Sequence, residues 1–159
     1  MVNPGARVIL VIRDGRDVAY SIKERTLSIE KGIHRWVDDN LAGESFWSHP
    51  QLFVVKYEDI INDRSNTLSA IFSFIGETFE PSVDQYYKKK SFIYSHKIEK
   101  PENAVGLQRH NLNRNWQINQ PIFDGRGKWK NMTDDEKAIV KKIGGDMLIR
   151  YGYTVDNNW

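Results

Sequence analysis

Arg13 is followed by Asp14-Gly15-Arg16-Asp17, and a serine stands at position 21. An arginine at the end of an apolar run offers a fixed fork of donors suited to phosphate. The first-turn N–H groups of a helix opening at Asp14 favour an anion at the same place. Ser21 lies about two turns beyond Asp14, roughly on the same helix face, so its hydroxyl could reach an anion bound above that face. The same residues also fit a plain Arg13–Asp17 salt bridge that locks the turn. A second basic set comes late. Arg109, Arg114, Arg126, Lys128 and Lys130 are opposed between 109 and 131 by Asp124 alone. That stretch reads either as a solvated basic surface or as a loop that meets a small anionic ligand.

Other chemistries find less support. There is no cysteine, so disulfides, Cys-ligated zinc, iron–sulfur centres and thiol nucleophiles are excluded. The chain holds neither G-x-x-x-x-G-K-[ST] nor G-x-G-x-x-G. Of the four histidines, His34 falls near the apolar face of a helix and reads as structural. His49 precedes Pro50 and reads as a helix-end residue, while His96 and His110 lie where they could face a substrate. No pair of them has a metal-ligand pattern, so no metal is expected. Glu58 and Asp59 could act as acid and base, but orienting a loop at a strand end is the more economical role. Trp36 reads as core, Trp129 as packing a late loop against the sheet, and Trp116 as the better substrate contact. Lys88-Lys89-Lys90 is a solvated helix end or, facing a cleft, a device that favours an acidic acceptor.

These residues need elements to hold them. The length of 159 residues, with 40% apolar and 28% charged side chains, fits one domain spanning 1–159. The apolar run bounded by Arg7 and Arg13 predicts a strand buried on both faces. Asp14 is placed to cap the next helix, with Asp17 where a capping-box acid would sit. A second helix is predicted from Ile29 to Phe46, with Ile33, Trp36, Val37, Asn40 and Leu41 on one face. Leu52–Val55 predicts another strand, ending in Lys56-Tyr57-Glu58-Asp59. A helix carrying Leu68, Ile71, Phe72 and Ile75 should stop at Gly76, and Pro81–Lys90 could form one more short helix. Residues 91–125 show no firm periodicity and suggest a lid or binding loop. Thr133-Asp134-Asp135-Glu136 is a capping box for a last helix, interrupted in expectation by Gly144-Gly145. The order of strands and helices argues α/β architecture with a parallel sheet, and ligands of such sheets bind beyond the strands' carboxyl ends.

Arg13-Asp14-Gly15-Arg16-Asp17-Val18-Ala19-Tyr20-Ser21 resembles the 3′-phosphate-binding segment of the sulfotransferases that use 3′-phosphoadenosine 5′-phosphosulfate (PAPS). The usual form is Arg-Asp-Pro-Arg-Asp-x-x-x-Ser, so Gly15 replaces a proline, a swap expected to loosen the turn. Val55-Lys56-Tyr57-Glu58-Asp59-Ile60 is similar to the family's Tyr-Glu-Asp strand end, where the tyrosine lies near the adenine. Residues 68–76 resemble the Phe-Leu-Gly helix end that follows. Gly125-Arg126-Gly127-Lys128-Trp129 looks like the basic, glycine-rich loop that closes over the 3′-phosphate, and Tyr151-Gly152-Tyr153 also fits. The ordered set covers roughly residues 7–153.

The resemblance implies a partial three-layer fold like that of the P-loop nucleotide hydrolases, with a mainly parallel sheet. It implies sulfonate transfer from PAPS, as co-substrate, to a hydroxyl or amine of a small-molecule or glycan acceptor. Arg13 and Ser21 would hold the 3′-phosphate, Tyr57 would lie near the adenine, and Arg126, Gly127 and Lys128 would close over the site. The family's 5′-phosphosulfate loop and catalytic base usually lie before the segment matching Arg13. Neither occurs in this sequence, so the chain is expected to be a C-terminal portion with its catalytic residues unassigned. The isolated chain is expected to turn over little or nothing. An upstream segment or a partner chain would complete the sheet. The alternatives are a non-catalytic α/β nucleotide-binding or interaction domain and, against the lack of a Walker lysine, a kinase relative. With no base-readout fingerprint and a net charge of +2, no nucleic acid partner is expected. No apolar stretch in Met1–Asp17 is long enough for a signal peptide or a membrane span, and a cytoplasmic location is expected.

Overall fold

The computed structural model describes residues 5–100, 102 and 106–159. Residues 1–4 of the opening segment, and 101 and 103–105 of the late stretch, lie outside the described residues.

The apolar run forms strand β1 (Val8–Ile12), and Leu52–Lys56 forms β2. The two pair in parallel, Val8 opposite Leu52 through Ile12 opposite Lys56. Parallel pairing needs a crossover, and two helices supply it: α1 (Gly15–Thr26) and α2 (Ile29–Glu44). After β2 come a short helix α3 (Tyr57–Asn62) and α4 (Arg64–Ile75). Gly76 stops α4 in the left-handed region at φ 84°. A 3-10 stretch at Pro81–Lys88 follows, kinked at Gln85. Helix α5 (Gly106–Gln117), a 3-10 turn (Lys128–Asn131) and α6 (Asp134–Arg150) complete the chain. The architecture is α/β with a small parallel sheet, two-stranded among the described residues.

The core lies between α1, α2 and α6. Ala19, Ile29, Ile33, Trp36, Val140, Met147, Leu148 and Tyr151 form it. The Thr133 capping box is present, both halves made. Gly144 does not interrupt α6, because a Cβ there would stand 2.6 Å from Ile33 Cδ1. The glycine is what lets α6 approach α2.

Four expectations need correction. β1 is not covered on both faces: Val8, Ile9 and Val11 are 48%, 38% and 53% exposed. Leu10 packs toward Gly43 of α2, while on the other face α4 packs over β2, through Phe74 on Phe53, and leaves Ile9 and Val11 part-exposed. Asp17 makes no capping box with Asp14; the N-cap oxygen accepts from Arg16 N, and Asp17 reaches elsewhere. His34 is exposed on α2 rather than structural. The fourth correction is α5, within a stretch read as irregular. Its buried face carries Asn115 beside Leu112, a polar residue that hides it from apolar periodicity. Asn115 accepts from Ile93 N and Tyr94 N and donates to Lys97 O. One turn on, Asn119 accepts from Ser91 N and donates to Ser91 O. The two amides hold the 91–97 segment as a neighbouring strand would.

Candidate functional site

The strand register brings the site together. With Ile12 opposite Lys56, Arg13 and Tyr57 leave the sheet side by side at its carboxyl end. The Arg13 guanidinium lies over the Tyr57 ring, 4.6 Å from its centroid.

The turn after Arg13 is clamped on both sides. Trp36 Nε1 donates to Arg13 O at 2.9 Å, and Asp14 N donates to Glu58 Oε1 at 3.0 Å. Gly15 lies flat on the Trp36 indole, where a Cβ would come within 2.5 Å of Cδ2. The glycine therefore does not loosen the turn. It makes room for the indole that holds the turn, and a proline ring would meet the same atoms. Glu58 orients the turn, as expected of it.

The two arginines of Arg-Asp-Gly-Arg-Asp do different things. Arg16 is 6% exposed. Its Nε and Nη2 donate to Asp14 at 3.0 and 2.7 Å, and Nη2 also donates to Tyr153 O. Its guanidinium lies 4.3 Å from the Trp129 ring centroid and 4.9 Å from that of Trp159. Through Tyr153 O and the Trp159 ring it ties the carboxyl-terminal tail to the turn. Trp129 thus packs on Arg16 and Trp159 rather than on the sheet. Arg13 keeps capacity: its Nε is buried without a hydrogen-bond partner. The Arg13–Asp17 contact is long, 3.9 Å.

Asp17 is the residue that sequence reasoning missed. It is buried at 3% exposure. Its two oxygens accept from Gly127 N at 2.9 Å and Trp129 N at 3.1 Å. It holds the late loop onto α1 across more than a hundred residues. The signal was the buried position of an acid on α1, which no spacing rule separates from a helix cap.

The same loop is tied on the other side. Arg13 Nη2 donates to Gly125 O at 2.5 Å. The Tyr57 hydroxyl donates to Phe123 O at 2.5 Å and accepts from Gly125 N at 3.3 Å. Arg126 donates to both oxygens of Asp124 and to Asn62 Oδ1. The Arg126 partnership holds the Asp124 carboxyl down at about 2. Lys128 Nζ lies 5.8 Å from the Phe123 ring centroid. Arg13, Tyr57, Arg126, Gly127 and Lys128 therefore share one end of the sheet. Ser21 stands half-buried farther along α1.

Burial also shapes this end. The Tyr153 hydroxyl is pushed well above the usual tyrosine range by burial, then by the charges of Glu58, Asp14 and Asp59. Among the described residues no three His, Asp or Glu are placed to hold a metal ion. No described helix is long and apolar enough to cross a membrane.

The remaining candidates lie apart. His49, expected at a helix end, lies beyond the end of α2 in the turn before β2, where its Nδ1 accepts from Gln51 N at 3.1 Å. His96 lines an open groove of about 600 Å³ with Phe92, Ile93, Tyr94, Lys97 and Leu112. His110 is exposed on α5, Trp116 is half-buried there, and Lys88–Lys90 are exposed.

A family model described as a sulfotransferase domain matches residues 1–138. No curated protein matches the chain.

Proposed function

The chain belongs to the sulfotransferase domain family, and from that premise we propose that it serves sulfonate transfer from PAPS to a hydroxyl or amine. It would supply the 3′-phosphate and adenine side of the site, within a larger parallel sheet of the P-loop-hydrolase kind. One observation carries this reading. Arg13, Tyr57 and Gly125–Lys128 meet beyond the carboxyl ends of two parallel strands, where ligands of α/β sheets bind.

The residues fit such a co-substrate. Arg13 has a buried donor, Nε, that no described protein group satisfies. That suits an anion at the strand end. Ser21 adds a hydroxyl on the helix that starts there, and Gly127 and Lys128 add the rim of the late loop. Arg126 is engaged by Asp124 and Asn62 and must exchange these partners to reach a phosphate. When PAPS is bound, the acceptor oxygen or nitrogen attacks sulfur, the sulfur–oxygen bond to the nucleotide breaks, and 3′-phosphoadenosine 5′-phosphate (PAP) leaves with the electron pair. The acceptor proton needs a base, and no residue of this chain is assigned that role. On the acceptor side, the groove beside His96 and the exposed Lys88–Lys90 favour an acidic small molecule or glycan.

The test is PAP release from PAPS across hydroxyl and amine acceptors, with and without negative charge. Acceptor-dependent release supports the transferase reading. PAP binding with no transfer to any acceptor favours the non-catalytic nucleotide-binding domain.

A further inference from the structure

We propose that Tyr57 is the latch of the late loop, and through it a specificity-determining residue for the 3′-phosphate, rather than a platform for the adenine. The inference rests on the nucleotide reading above and reassigns one of its residues.

Three contacts of the same side chain carry it. The hydroxyl donates to Phe123 O and accepts from Gly125 N. It thus brackets the residues on both sides of Asp124, with its donor and an acceptor lone pair both in use. The ring meanwhile lies under the Arg13 guanidinium, whose Nη2 donates to the carbonyl of the same Gly125. Tyr57, Arg13 and Gly125 therefore form a closed triangle. A ring face engaged by a guanidinium is not free to stack on a base. A hydroxyl bridging two backbone groups fixes where the next residues, Arg126 to Lys128, can stand. The triangle is tightly packed at Gly125, where a Cβ would approach Arg13 Nη2 and Phe123 Cε2 at 3.1 Å each. Releasing the hydroxyl leaves the loop held at Asp17, at Asn62 and by the single Arg13–Gly125 bond. With one of its two ties at this end gone, the basic loop is held less firmly beside Arg13, and the group that suffers is the one both would share.

Tyr57→Phe separates the roles, since it keeps the ring and removes both loop bonds. PAP and 5′-AMP are titrated into the full chain and the variant; the two probes differ only in the 3′-phosphate. The latch expects PAP affinity to fall about tenfold, the size of one or two lost hydrogen bonds, with 5′-AMP affinity unchanged. Equal loss for both nucleotides, or no loss for either, overturns it. Trypsin reads the latch without nucleotide, at Arg126, Lys128 and Lys130. Faster cleavage there in Tyr57→Phe, with cleavage elsewhere unchanged, is the expected result. A variant that is cut everywhere alike has lost its fold and overturns a local latch. Should the unaltered chain not bind PAP, the nucleotide reading and the specificity role fall together. If PAP binds but trypsin and the PAP-to-AMP ratio are both unmoved, the latch alone falls.

Discussion

Gly15 and Trp36 are a matched pair. The indole fills the space over the glycine and donates to Arg13 O, so the turn is held by a side chain from α2. Gly15→Ala is expected to lower stability by about 1–3 kcal/mol through overpacking. Thermal melting checks it, and the shorter Trp36→Phe side chain should lessen the penalty in the double variant. A chain in which Gly15→Ala melts unchanged does not have this contact. Arg16 shows the same limit of reading by residue type. Arg13 and Arg16 look equivalent in sequence, yet three residues of separation send one to the loop and the other into a cage of Asp14, Trp129 and Trp159. Tyr153 gives a pH dependence. Its folded value is raised, so the folded state keeps a proton that the unfolded chain loses near 10. Stability from this source is constant below that value and declines as the pH rises through it. Tyr153→Phe is expected to flatten the decline above pH 10 in alkaline denaturation curves, leaving what Tyr151 and Tyr86, raised mainly by burial, contribute.

At the scale of elements, strands and apolar-faced helices were legible because their periodicity is written in side-chain type. β1, α2, β2, α4 and α6 stand within a few residues of where apolar spacing put them. α5 was not legible, because the buried residues on it and just past its end include Asn115 and Asn119 beside Leu112. Its stability rests on amide-to-backbone bonds, which no hydrophobic pattern records. Asn115→Ala should leave the amides of Ile93 and Tyr94 unpaired. Hydrogen exchange is expected to speed by tenfold or more at those residues, while α6 and β2 stay protected. Uniform loss of protection would show that the segment is not held locally. The covered faces of β1 could not be read either. An all-apolar strand looks the same whether both faces are packed or one is bare, and only the neighbours decide.

Across the whole molecule, charge is unevenly spread. Residues 88–114 hold seven Lys and Arg against two Glu, whereas the other 132 residues hold sixteen against nineteen. The excess positive charge thus lies on the layer of α5 and the groove beside His96. Under the transferase reading, apparent affinity for an anionic acceptor should weaken several-fold between low and physiological salt, while a neutral acceptor should not respond. Equal salt response for both would remove the charge from acceptor choice. The site itself was partly legible. Its three segments were readable as an ordered set, but Asp17, Asn62 and Trp36 were not, because they act across distances that only the folded chain closes. Their common effect is to bring Arg13 and the late loop together, where the proposed reading puts one anion. Calorimetric titration of PAP into the chain, Arg13→Ala and Ser21→Ala tests that placement most directly. The expected result is binding that falls about 10- to 100-fold in Arg13→Ala, the loss of a charged hydrogen bond, and less in Ser21→Ala. Unchanged PAP affinity in both variants would contradict it.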